Sequence, residues 1–214
     1  MKKDSIVIYL GTAHRLREPG KQSPDGRLIE CIYSREIVKE LAAKLRAMGC
    51  HVMIDYEPLD LPRNMQSPSA KLERQRELAL RVNTVNETCR QEGAQNVIYV
   101  SIHVNASNND GKWHDPNGWC VLVSPKASAR SKLLAECLFD AAQAHGLHTR
   151  KPAPKQKYWP QNLYVLNNTQ CPAVLTENLF QDNLDDVGFL LSDEGRQVIE
   201  RIHVEGIIRY IESL

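Results

Sequence analysis

Three short apolar segments of this chain lead into a residue that can bind a metal ion or transfer a proton. The segment IVIYLGTAH ends at His14, NVIYVSIH ends at His103, and PAVLTE ends at Glu177. Because the carboxyl ends of parallel strands meet at one edge of a sheet, where open α/β sheets usually bind ligands, these residues can share one crevice. Two imidazoles and a carboxylate placed together suggest a zinc hydrolase.

A catalytic zinc ion usually takes three protein ligands and leaves a fourth position for water. His14 and His103 would supply two of them. Glu30 is the candidate for the third, because it opens a helical pattern and extends the apolar stripe of Ile37 towards the strand ends. Glu177 interrupts an otherwise apolar segment, and a buried carboxylate beside a cation can serve as a general base for water activated by the metal.

Spacing alone leaves other interpretations open. His14 also fits a loop histidine in a Gly/Pro-rich turn, and Glu30 fits an acidic residue at the positive end of a helix dipole. His103 can be a hydrogen-bonded histidine at a strand end, and Glu177 can form a buried ion pair with Arg81. The remaining histidines are expected at the surface or in local hydrogen bonds: His51, His114, His145, His148 and His203.

The composition indicates one globular domain covering residues 1–214. The chain has 42% hydrophobic and 25% charged residues with a net charge of +1, so neither a nucleic-acid partner nor another polyanion is expected. The first apolar run is too short for a signal peptide, and no segment reaches the ~20 apolar residues of a membrane helix. We therefore expect no insertion into a membrane. We also expect the protein to be a monomer. The six cysteines form no CxxC pair and are expected to be reduced and mostly buried.

Runs of β-branched residues alternate with helical patterns, which predicts an α/β fold. We expect a three-layer αβα domain with a central, mostly parallel, twisted sheet of about five to six strands. Strands are predicted at Ile6–Leu10, His51–Asp55, Val97–Ile102, Trp119–Ser124 and Ala173–Thr176. Helices are predicted at Ile29–Met48, Leu72–Arg90, Ser128–His145, Asp186–Leu191 and Asp193–Ile211. The inward face of the first helix should carry Ile37, Leu41, Leu45 and Met48, whereas 146–161 has too little periodicity to be core.

Two segments in this setting are the most specific features of the chain. SIHVNA at Ser101–Ala106 and PAVLTENLFQDN at Pro172–Asn183, together with a strand ending in His and a helix opening with Glu, closely resemble the zinc-dependent N-acetylmuramoyl-L-alanine amidases. These are cell-wall amidases of the autolysin type. The resemblance runs from about residue 6 to residue 210, nearly the whole chain.

The resemblance implies that His14, Glu30 and His103 bind Zn²⁺ and that Glu177 is the catalytic carboxylate. The implied reaction is hydrolysis of the amide between N-acetylmuramic acid and L-alanine in peptidoglycan. In one place the chain departs from the family, which usually has a histidine flanked by glycines, as in GHGG. Here the corresponding segment is TAHRL, residues 12–16, so the imidazole is kept but the loop's flexibility and its close approach to substrate are altered.

Two other functions remain open. The same zinc site can serve a carboxypeptidase or deacylase of another small peptide amide, and the fold can serve as an inactive peptidoglycan-binding module. The sequence does not distinguish a bacterial remodelling enzyme from a phage endolysin; either would be made in the cytoplasm and act at the cell wall. Residues expected to shape a groove for the stem peptide or glycan are Trp113, His114, Trp119 and the segment Arg150–Trp159, with Lys155, Lys157, Tyr158 and Trp159.

Overall fold

The computed structural model of the protein describes residues 6–214, in which six strands form one twisted sheet. The strands are β1 (Val7–Thr12), β2 (His51–Ile54), β3 (Val97–Asn105), β4 (Cys120–Val123), β5 (Trp159–Pro160) and β6 (Ala173–Phe180). Their order is β2-β1-β3-β6-β4-β5, and every neighbouring pair is parallel except β4 with β6. The predicted fold class and strand number are confirmed.

Six α-helices cover the two faces of this sheet. They are α1 (Glu30–Ala47), α2 (Ala70–Glu92), α3 (Ala129–Ala144), α4 (Tyr164–Asn168), α5 (Leu184–Leu191) and α6 (Asp193–Glu212), and short 3-10 turns occupy Arg63–Met65 and Ala94–Asn96. Helices α1, α3 and α6 pack on one face and α2 and α4 on the other, each through its own cluster of buried side chains. The result is a three-layer αβα fold, as the sequence predicts.

The start of α1 is fixed by the turn that precedes it. No side chain caps this helix, but the amide of Glu30 donates to the carbonyl of Lys21 at 3.0 Å. The Ser23 hydroxyl donates to Asp25 and accepts from the amide of Leu28, which closes the intervening turn. The loop therefore folds back onto the helix and holds its first residue at the edge of the sheet.

Several predicted boundaries are wrong, for two physical reasons. Strands β3 and β6 run on past Ile102 and Thr176, because their pairing continues through polar positions that a hydropathy pattern interprets as strand ends. Strand β5 and helix α4 are missing from the prediction because elements of two and five residues are too short to show a period. Met48 follows the last turn of α1 and is 47% exposed rather than inward-facing.

All six cysteines are buried, as expected, and none forms a disulfide within the described part of the chain. No helix between residues 6 and 214 combines the length and the apolar character needed to cross a membrane.

Candidate active site

Three predicted site residues come together at the edge of the sheet. Each of His14, Glu30 and His103 offers one ligand atom, and these atoms lie within 4.8 Å of one another. His14 Nε2 is 3.4 Å from Glu30 Oε2, and His103 Nδ1 is 3.1 Å from Glu30 Oε1. The two imidazole rings are perpendicular, with their centroids 4.9 Å apart. Within residues 6–214 no other cluster of three such side chains reaches this proximity.

His14 lies two residues past β1 in a left-handed conformation, with φ of 42°. A side chain disfavours this conformation, so the backbone must be held by its surroundings. The His14 carbonyl accepts hydrogen bonds from Arg35 Nη2 at 3.0 Å and Arg81 Nη2 at 3.2 Å. The Ala13 amide donates to Ser34 Oγ at 2.9 Å. Hydrogen bonds from residues distant in the sequence therefore hold the loop around His14.

Glu30 is fully buried, and its two oxygens have different surroundings. Oε1 accepts from the amide of Val104 at 3.1 Å and contacts the His103 ring. In the described part of the chain Oε2 has no hydrogen-bond partner; it lies 3.4 Å from His14 Nε2 and 3.7 Å from Lys21 Nζ. Burial raises the pKa of this carboxyl, but the neighbouring His14, His103 and Lys21 outweigh burial and hold it well below its usual range. Glu30 is therefore a buried carboxylate that remains ionised.

His103 lies inside β3 rather than after it. Burial lowers the pKa of this imidazole to about 4, so it is neutral near pH 7. A neutral imidazole is the form that binds a metal ion.

Glu177 also lies inside a strand, and it pairs with His103 across β3 and β6. Its Oε2 atom is buried and has no hydrogen-bond partner among residues 6–214. Burial, assisted by the charge of Glu30 and opposed by Lys21, raises the pKa of Glu177 to about 8. The alternative of an ion pair with Arg81 is wrong.

Arg81 is instead the centre of a separate buried network. Its Nη1 donates to both carboxylate oxygens of Asp55 at 2.9 Å, and its Nη2 donates to Glu77 at 2.9 Å. The same guanidinium bonds the Thr12 hydroxyl at 2.8 Å as well as the carbonyl of His14. One arginine thus neutralises two buried carboxylates and supports the loop that carries His14.

Replacing Arg81 by methionine should lower the free energy of unfolding by about 3–5 kcal/mol, because Asp55 loses its buried counter-charge and Glu77 keeps only the more distant Arg15, at 3.5 Å. Urea denaturation measures the change. The matched control is Arg90→Met on the same helix, where the exposed arginine pairs with exposed Glu87 and little change is expected. Equal destabilisation by the two substitutions would contradict the role given to Arg81.

The donor set suits a divalent cation, and zinc in particular. An ionised carboxylate with one unbonded oxygen is buried beside two imidazoles, and these are ligand types that Zn²⁺ prefers. A bound cation would also satisfy the Oε2 atom of Glu30, which otherwise lacks a hydrogen bond in a buried position.

Two adjoining cavities meet at Glu177. The first, of about 310 Å³, contains His14, His103 and Glu177 and reaches Tyr164 on α4. The second, of about 300 Å³, contains Glu177, Asn105 and Trp159 but neither histidine. A larger cavity of about 620 Å³ lies between the start of α3 and the end of α4 and contains none of the four site residues. The cleft at Glu177 therefore contains the side chains that can bind a metal ion and transfer a proton, although it is not the largest cavity.

The structure places the predicted groove residues in different surroundings. Trp159 lines the second cavity. Trp119 does not, because its ring is fully buried and its Nε1 donates to Asn178 at 2.8 Å. Lys157 forms an ion pair with Asp140 on α3. Sequence reasoning also missed Lys21, which lines the first cavity and lies beside Glu30, because nothing in its loop distinguishes it from a solvated lysine.

Two comparisons match this sequence to known proteins. The family model described as N-acetylmuramoyl-L-alanine amidase matches residues 6–209. The endolysin of Bacillus phage SPP1 is 28% identical over 123 residues, which cover 58% of this chain and 43% of the endolysin. The match thus spans less than half the length of that relative.

Solved structures of amidases share the fold. The CwlD amidase from Clostridioides difficile, solved in complex with the GerS lipoprotein, superposes with a TM-score of 0.79 at 20% identity, covering 98% of this chain and 100% of that one. The catalytic domain of CwlV from Bacillus (Paenibacillus) polymyxa var. colistinus gives a TM-score of 0.73 at 19% identity, covering 97% and 98%. At these identities the likeness establishes the fold alone.

Proposed function

Because this chain belongs to the N-acetylmuramoyl-L-alanine amidase family, we propose that it hydrolyses the amide between N-acetylmuramic acid and L-alanine in peptidoglycan, as a zinc enzyme. The family and the enzyme class predicted from the sequence are confirmed. In the proposal residues 1–214 act as one catalytic domain, with His14, Glu30 and His103 as zinc ligands and Glu177 as general acid and base.

One observation carries the proposal. The ionised Glu30, with an unbonded buried oxygen, lies between two imidazoles, and Glu177 pairs with one of them across neighbouring strands. A cation site and a carboxylate able to hold a proton are therefore adjacent in one cleft. This is the minimum that metal-assisted amide hydrolysis requires.

The residues divide the chemical work between them. Zinc held by His14, Glu30 and His103 would supply Lewis acidity towards the amide carbonyl and towards water. Glu177 accepts the proton from the attacking water at its carboxylate. As the carbon–nitrogen bond breaks, Glu177 returns that proton to the nitrogen of alanine, which leaves as an amine. Burial, which raises the pKa of Glu177, favours retention of the proton between the two transfers.

Digestion of purified peptidoglycan with and without a chelator tests this function. We expect soluble muropeptides to form only without chelator, and added Zn²⁺ to restore their release. Mass analysis should find a free lactyl carboxyl on the glycan and a free amino terminus on alanine in equal amounts.

Other outcomes would identify the alternatives. New termini elsewhere in the stem peptide would indicate a carboxypeptidase or deacylase. Tight binding to sacculi without cleavage or stoichiometric zinc would indicate an inactive binding module. Digestion unaffected by chelator would contradict the zinc proposal. That peptidoglycan is the substrate is part of this proposal. That the protein is a monomer stays a prediction.

A further inference from the structure

The second cavity holds an arginine that has no carboxylate partner among residues 6–214. Arg150 lines this cavity together with Glu177, yet none of its contacts there is an ion pair. The cations of the first cavity are different. Arg74 pairs with Glu18, and Lys21 lies beside Glu30. Arg81 is neutralised by Asp55 and Glu77. Arg150 alone among these cations remains available to an anion.

The Arg150 side chain is held in place. Its guanidinium carbon lies 4.7 Å from the centroid of the Phe180 ring, a stacking contact on a buried side chain of β6. Its backbone amide donates to the carbonyl of Trp119 at 2.8 Å, and its carbonyl accepts from Trp159 Nε1 at 3.3 Å. Gly118 has a φ of 100°, and a Cβ there would come within 3.2 Å of Arg150 Cγ. Little side-chain freedom is left to lose when a ligand binds.

We propose that Arg150 binds a carboxylate of the stem peptide, next to the bond that Glu177 cleaves; this specificity role rests on the proposed function. A guanidinium matches a carboxylate through two parallel hydrogen bonds. The lactyl carboxyl of N-acetylmuramic acid is consumed in the scissile amide, so the sugar offers no carboxylate. The second cavity therefore takes the peptide side of the substrate.

The lining that Glu177 and Arg150 share limits which carboxylate of the stem peptide can reach Arg150. Glu177 and Arg150 line the same space of about 300 Å³, so the carboxylate belongs within a residue or two of the alanine nitrogen. The alanine carboxyl is itself consumed in the next peptide bond. The first available group is the α-carboxylate of the second residue, which is free in a D-glutamate stem and amidated in a D-isoglutamine stem.

Two synthetic substrates test the inference. Both are N-acetylmuramoyl-L-alanyl-D-glutamate with the γ-carboxyl capped as a methylamide; one has a free α-carboxylate and the other an α-carboxamide. We expect Arg150→Met to lower kcat/KM on the carboxylate substrate about 10- to 100-fold, chiefly through KM, and to change the amide substrate less than about threefold. Arg150→Lys should recover part of the preference, because it keeps the charge but loses the planar fork.

The control is Arg201→Met on α6, an exposed arginine outside both cavities, which should leave both substrates unaffected. Equal losses on the two substrates, or no loss on either, would overturn the inference. If Arg150→Met does not fold, the ratio of carboxylate to amide turnover in Arg150→Lys decides instead.

Binding separates this inference from the proposed function. Calorimetric titration of the chelated wild-type protein with each compound should show tighter binding of the carboxylate, and Arg150→Met should remove the difference. A protein that cleaves neither compound but keeps this preference would refute the amidase proposal and retain the carboxylate site. Cleavage of both compounds with no preference would do the reverse.

Discussion

Glu177→Gln should lower kcat on soluble muropeptides by roughly 10²–10⁴-fold, the usual contribution of general acid–base catalysis. Glutamine has the same shape but can neither accept the proton from water nor deliver it to the leaving amine. Substrate binding should change little. The measurement is steady-state kinetics on the zinc-loaded enzyme, with bound metal determined in the same samples.

Two controls accompany this substitution. Zinc content should stay at one ion per chain, because the ligands are unchanged. The metal-free variant should melt at least as high as the wild type above pH 8. The raised pKa of Glu177 means that the folded state binds its proton more tightly than the unfolded chain. Stability is therefore lost as the pH rises towards 8, and glutamine removes this loss. Turnover within tenfold of the wild type would refute the role of Glu177.

The second large effect is expected at Glu30, where glutamine should weaken zinc binding roughly a hundredfold or more, because the ligand charge is removed. Glutamine still offers an Oε1 atom to the amide of Val104, so the local fold should survive. Competition with a chromogenic chelator measures the affinity directly and does not depend on turnover.

Glu36→Gln on the same helix is the matched control, since this exposed carboxylate pairs with Arg196 and faces away from the cluster. It should bind zinc like the wild type. Glu30→Gln should lose metal and activity together, whereas the substitution at Glu177 should lose activity alone. Unchanged zinc affinity in Glu30→Gln would remove it from the ligand set.

The cluster was largely predictable because its members follow or open strongly patterned elements. His14 follows β1, Glu30 opens α1 in register with Ile37, and His103 lies within β3, the longest strand. The sequence pattern does not show how far the pairing of two neighbouring strands extends. A polar residue in a strand can mark its end or face a cleft, and only the partner strand distinguishes the two, as His103 and Glu177 demonstrate.

Long-range contacts explain the remaining errors. The conformation of His14 depends on Arg35 and Arg81, which lie 21 and 67 positions further along the chain. No local rule connects them. The predicted ion pair between Arg81 and Glu177 was wrong for the same reason, because the sequence alone does not show which buried carboxylate contacts Arg81. The burial of Trp119 depends on Asn178, an acceptor supplied by another strand.

The pairing of His103 with Glu177 has a consequence for how such a protein can diversify. Neighbouring strands are about 4.8 Å apart in any sheet, so the hydrogen-bonded ladder fixes the backbone separation of these two residues. Insertions and substitutions in the surrounding loops leave that separation unchanged. In the proposed enzyme the sheet would therefore hold the catalytic carboxylate and a metal ligand at a fixed separation, while loops such as the one bearing Arg150 would be free to change substrate choice.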